Sequence, residues 1–227
     1  MTDQIPPEQS SADQIAALFT RSDGSFRFAR WGRRPAPVIY GTNDEGIRIF
    51  EEALADVAAL AGLETQEIDP ELGANFMVFF SRDWRELQEV PHLSKLIPDL
   101  DRLVTTLMAA GANQYRIFGF DEAGAIRICL ILLRYDDDLQ RVSAQTLSVS
   151  QCVQSMLLWS DHAFTAESPI ALVDDGQTEG RCVVKPWFGD LLRVAYDPVI
   201  PAASDDASLA LRLAARLDRP GASQVGP

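Results

Sequence analysis

Residues 145–164 (QTLSVSQCVQSMLLWSDHAF) constrain this chain more than any other stretch. They form the body of a long apolar helix, expected over residues 143–159, in which Ser150, Gln151 and Gln154 stand within about one turn of each other. A helix this apolar is a core element and needs other elements packed around it. The flanking sequence supplies them.

Upstream, residues 34–40 (RPAPVIY) are expected to form a strand whose prolines suit an edge position. In the GTNDEG turn, Thr42 precedes Glu45 with the spacing of a capping box, which predicts a helix over residues 44–60 that stops at Gly62. Residues 75–80 (NFMVFF) read as a short buried strand. Residues 82–87 read as a helical turn, and residues 99–110 (DLDRLVTTLMAA) as a helix between Pro98 and Gly111. The runs 114–120 (QYRIFGF) and 125–135 (AIRICLILLRY), joined by Asp121-Glu122-Ala123-Gly124, predict a hairpin.

After the long helix, a mostly polar stretch (165–181) leads to a helix near residues 188–195. Tyr196-Asp197-Pro198 stops that helix, and a last one is expected over residues 207–217. This order predicts an α+β fold: a single mixed β-sheet backed by helices, with a C-terminal helical part. One domain over residues 25–217 is expected. A loose arm (1–24, with a helical turn near 15–19) would precede it, and a disordered tail (218–227) would follow.

The chain has 227 residues, 47% apolar and 23% charged, enough for a substantial core of ordinary globular composition. Its net charge of -13 disfavours phosphate backbones and anionic lipid surfaces, so neither nucleic acid nor membrane is expected as a partner. The densest basic group, Arg27, Arg30, Arg33 and Arg34, does not offset this. No apolar run approaches the roughly 18 residues of a membrane span.

Three cysteines and no C-x-x-C pair argue against a metal knuckle or redox motif. Cys129 and Cys152 read as small buried hydrophobes. The N-terminus lacks a signal-like region, which predicts a cytoplasmic protein; a processed or misassigned start would instead allow export to the periplasm. Glycine-rich phosphate loops of either common kind are absent.

The long helix after a hairpin resembles the N-terminal half of zincin-type zinc metallopeptidases. Several segments also resemble a family of uncharacterised proteobacterial proteins with a domain of unknown function. They are Arg30-Trp31 followed by PAPVIYG, the GANFMVFF strand, SQCVQSMLLWSD, and FGDLLRVAYDPVIPAASDDASLALRLAARL. Gln154, Leu158 and Asp161 fit that family's pattern on the long helix, and Ala195-Tyr196-Asp197-Pro198 fits its later Leu-Tyr-Asp-Pro. The resemblance covers residues 30–217, and members of that family are often exported.

The departures carry the functional implication. The frame H-E-x-x-H-x-x-G-x-x-H falls here on Ser150, Gln151, Gln154, Leu157 and Ser160. Serine and glutamine are not usual zinc ligands, and glutamine cannot act as a general base. Asp161 and His162 come one and two residues late for the third ligand, and His92 is remote in sequence. The resemblance therefore implies a degenerate site at Ser150, Gln151, Gln154, Asp161 and His162, with no metal, no cofactor and no catalytic residue.

A Ser-His-Asp set from Ser150 or Ser160, Asp161 and His162 lacks a nucleophile elbow; these serines and Asp161 are read instead as terminating and capping the helix. Asp136-Asp137-Asp138 and Asp174-Asp175-Gly176 lack EF-hand spacing and read as solvated turns rather than calcium sites. Trp31, Trp84, Trp159 and Trp187 are expected in core or rim, with Trp159 able to line a pocket.

Three functions remain. One is a catalytically inactive binding domain that holds an extended peptide or protein segment along the strand over residues 125–135. Another is a hydrolase with a non-zinc site near Gln151, Gln154, Asp161 and His162, which requires those side chains to converge in a pocket beside a perturbed titrating group. The last is a purely structural subunit, which requires an exposed apolar patch of several hundred Å² and no polar cleft.

Overall fold

The computed structural model describes residues 11–173 and 180–218. A four-stranded mixed sheet is its centre, built from β2 (Pro37–Tyr40), β3 (Phe76–Ser81), β4 (Gln114–Phe120) and β5 (Ile126–Arg134) in the order β2-β3-β5-β4. The first three neighbours run parallel and β4 runs antiparallel to β5. The fold is α+β with a mixed sheet backed by helices.

Each parallel connection is helical. Between β2 and β3 lies α2 (Asp44–Leu60), at the expected boundaries. Its cap is Asn43 rather than Thr42, because Asn43 accepts the Gly46 N–H at 2.9 Å. Its end is a Schellman turn: Gly62 takes φ +67°, and the Leu63 N–H bonds back to the Ala58 carbonyl. Between β3 and β4 lie a 3-10 turn at Trp84–Glu89, the short α3 (Leu93–Leu96) and α4 (Leu100–Ala109).

These elements cover opposite faces. On one, Phe79, Leu130 and Leu132 pack under Trp84, Leu100, Val104 and Leu107. On the other, Phe76, Val78, Cys129, Ile131 and Leu133 pack under α2 and α5 (Ala144–Met156). The larger core continues into α6 (Pro186–Ala195) and α7 (Ser208–Leu217).

Several expectations need correction. The N-terminal segment is not a loose arm from residue 11 onward: α1 (Ser11–Phe19) buries Ile15, Leu18 and Phe19, and Phe19 stacks on Trp159 with centroids 5.4 Å apart. The polar stretch after α5 contains half of a hairpin, β6 (Ile170–Val173) paired with β7 (Arg181–Val184). The two-residue strands β1 (Phe28–Ala29) and β8 (Ala203–Ser204) also pair, through so few residues that no periodicity marks them. Asp174-Asp175-Gly176, expected as a solvated turn, and the expected tail from residue 219 onward lie outside the described residues.

The long helix ends at Met156, not Trp159, and its last turn is closed by aromatic side chains from elsewhere. Helix ends leave carbonyls without intrahelical partners. Here the Trp31 indole N–H donates to the Ser155 carbonyl at 2.8 Å, the Trp159 indole N–H to the Val153 carbonyl at 3.2 Å, and the Tyr196 hydroxyl to the Met156 carbonyl at 2.6 Å. Ser160 and Asp161 do not cap it. Ser160 donates to the Ala17 carbonyl of α1 at 3.2 Å, and Asp161 pairs with Arg21.

Among the described residues no helix is long and apolar enough to cross a membrane.

Candidate functional site

The strand over residues 125–135 was the expected peptide-holding element, and its position in the sheet rules that out. β5 has β3 on one side and β4 on the other, so both of its edges are used. Its continuous apolar run is the reason. A strand covered on both faces belongs inside the sheet, whereas QYRIFGF, interrupted by Gln114 and Arg116, suits the boundary.

The edge is therefore β4. The Arg134 N–H donates to the Asn113 carbonyl at 2.8 Å, which sets the alternation along the pair. Tyr115, Ile117 and Gly119 turn their main-chain groups toward β5, and Gln114, Arg116 and Phe118 turn theirs away from it. Among the described residues no other strand pairs with that side.

A cleft of about 950 Å³ opens along this edge. Gln114, Arg116 and Phe118 of β4 form one wall, and Gln151 and Gln154 of α5 form the floor. Leu158, Trp159 and Phe164 also line it, as do Arg21, Asp23 and Arg27.

Arg116 organises the floor. Its Nη2 donates to Gln151 Oε1 at 2.5 Å, its Nε to Ser155 Oγ at 3.0 Å and its Nη1 to Gln154 Oε1 at 3.4 Å. Gln151 Nε2 donates to Gln114 Oε1 at 2.7 Å, and Gln154 Nε2 to Ser150 Oγ at 2.9 Å. Each amide thus gives its oxygen to the guanidinium and its N–H₂ to a neutral acceptor. Burial pushes the Arg116 guanidinium below its ordinary value, and no carboxylate counteracts that.

The sequence singled out Ser150, Gln151, Gln154, Asp161 and His162. Ser150, Gln151 and Gln154 share the network around Arg116; Gln151, Gln154 and Asp161 line the cleft. Asp161 is exposed at the rim, paired with Arg21 at 3.2 Å. His162 is exposed and outside the lining, and its side chain bonds to no serine or aspartate among the described residues. No nucleophile–base pair forms from these five.

Arg116, at the centre of this network, is not among the residues the sequence singles out. Its signal was present: it is the only charged residue in QYRIFGF, on the same strand face as Phe118 and Phe120.

Other candidates resolve structurally. Asp136 accepts the Asp138 and Leu139 N–H groups at 3.2 and 3.0 Å and pairs with Arg134, so it builds a turn. Among the described residues no three His, Cys, Asp or Glu side chains gather as a metal site. Burial pushes the Cys129 thiol up to about 11 and raises Cys152 well above its ordinary value. Trp31 and Trp84 are core, Trp187 is partly buried at the rim, and Trp159 lines the cleft.

Fold and site together define an α+β fold with an antiparallel edge strand whose outer side pairs with no other strand among the described residues and lies along a cleft. Compared with protein-family models, curated proteins and solved structures, the chain matches none.

Proposed function

We propose that this chain is a catalytically inactive, zincin-like binding domain that grips an extended peptide or protein segment without cutting it. The observation that supports this reading is the free edge of β4 beside the cleft floored by α5. A segment laid there would take main-chain bonds from Gln114, Arg116 and Phe118, as in strand addition, while the cleft accepts its side chains. The zincin-like part of the reading draws on element order: a hairpin delivers the antiparallel edge strand, and the helix that would carry H-E-x-x-H follows it. At those helix positions an arginine–amide network stands in place of ligands and base.

Hydrogen exchange tests the reading directly. A bound extended peptide should newly protect the amides of Gln114 and Arg116, and of Phe118, while Tyr115 and Ile117, already facing β5, change little. Zinc-loaded protein mixed with unstructured substrates should yield no products. Chelator-sensitive cleavage would overturn the inactive reading, and unchanged exchange along β4 with a bound peptide would overturn strand addition.

A further inference from the structure

The charges in the cleft run against those of the whole chain. The chain carries a net charge of -13, yet the cleft is lined by Arg21, Arg27 and Arg116 against Asp23 and Asp161. Both carboxylates are engaged locally: Asp161 pairs with Arg21, and Asp23 accepts the N–H and hydroxyl of Ser25 at 2.9 and 2.6 Å. Arg27 is exposed and lies over the Phe120 ring, 4.8 Å from its centroid, and Arg116 has no ion pair among the described residues.

Arg116 is held without being neutralised. Three of the guanidinium's five N–H groups are taken by two amides and a hydroxyl, which leaves two for a ligand. A desolvated cation is poorly compensated by neutral acceptors, and a carboxylate is the planar partner its fork fits best. Register adds the second argument. Arg116 turns its main chain to the free edge and its side chain over α5. A guest residue paired opposite it therefore projects onto the same sheet face, beside the guanidinium.

We propose that Arg116 is a carboxylate-binding residue: the segment held along β4 carries an Asp or Glu side chain opposite it, with Arg27 drawing acidic segments to the mouth of the cleft. This rests on the strand-binding reading above and names the chemistry of its ligand.

The test uses three capped, C-terminally amidated peptides of alternating valine and threonine, identical except for a central Glu, Gln or Lys. A free C-terminus therefore contributes no carboxylate. The Glu peptide should bind about tenfold tighter than the Gln peptide, the scale of one charge-assisted hydrogen bond. Arg116→Gln should abolish that preference, so that the variant binds the Glu and Gln peptides equally, and Arg116→Lys should keep part of it. Arg27→Gln, on an exposed side chain, should slow association of the Glu peptide and weaken its salt dependence.

Equal binding of the Glu and Gln peptides, with the β4 amides protected, would overturn the carboxylate assignment and leave strand binding standing. A second probe, N-acetylglutamate methylamide, separates the reverse case. If no peptide protects β4 but this probe shifts the Arg116 Nε resonance, the carboxylate site stands and the strand-binding reading falls. If neither probe acts, both fall.

Discussion

The Tyr196 hydroxyl donates to the Met156 carbonyl at 2.6 Å and so closes the end of the helix that floors the cleft. The same oxygen accepts the Trp31 N–H at 3.2 Å, and the Arg30 guanidinium lies 5.3 Å from the ring centroid. Three segments far apart in sequence meet at this hydroxyl. Burial pushes its ionisation well above the ordinary phenol range, which keeps the hydroxyl a donor at neutral pH. Tyr196→Phe should leave the Met156 carbonyl and the Trp31 N–H unsatisfied, and should destabilise the protein by about 1–3 kcal/mol in urea titration.

Gln151 is the residue to change for occupancy of the cleft. Gln151→Glu places a carboxylate where Gln151 Oε1 now meets Arg116 Nη2. The internal charge should compete with any acidic ligand, and Glu-peptide affinity at pH 7 should fall by about tenfold or more. Zinc should still confer no hydrolysis on this variant, since the neighbouring Ser150 and Gln154 are not usual zinc ligands. A zinc-dependent product in mass spectrometry would refute that.

Asp69 should make the fold acid-sensitive. It is 2% exposed. Burial alone would raise its pKa, but the Leu72 and Glu71 N–H groups, each at 2.9 Å, and the Arg33 guanidinium outweigh burial and hold it below the ordinary value. A depressed folded-state pKa gives stability that is fully present above the unfolded carboxylate value and lost as pH falls through the folded one. Wild-type stability should therefore decline below about pH 4. Asp69→Asn should lower stability at pH 7 and flatten that acid decline, as read from urea midpoints across pH.

The buried thiols should be inert. Cys129 and Cys152 are both 0% exposed, and burial raises each above the ordinary thiol range. Because only the thiolate attacks, Ellman's reagent at pH 8 should modify these two far more slowly than a free thiol, and should modify both promptly in guanidinium. Peptide mapping distinguishes them from Cys182.

Much of the frame was legible along the chain. The helix at Asp44–Leu60 announced itself through an apolar face, polar caps and a terminal glycine. The hairpin announced itself through two β-rich runs around a turn. These signals are local, so they survive in one dimension. The short pairs β1–β8 and β6–β7 did not show, because so few residues carry no readable period. The end of α5 is not legible for a different reason. Its apolar pattern runs on through Leu157, Leu158 and Trp159, and what halts the helix is an isolated bridge from Arg30 to Leu157 together with aromatic donors from distant segments.

The sequence by itself determined the α+β frame, the buried thiols Cys129 and Cys152, and a helix carrying Ser150, Gln151 and Gln154. Hydrophobic periodicity, turn chemistry and residue identity are enough for those. Only the tertiary structure decided which hairpin strand lies at the sheet edge, and that Arg116 spans the cleft to Gln151 and Gln154. Strand order and side-chain convergence depend on long-range pairing and on the burial of whole faces, which no local stretch of residues encodes.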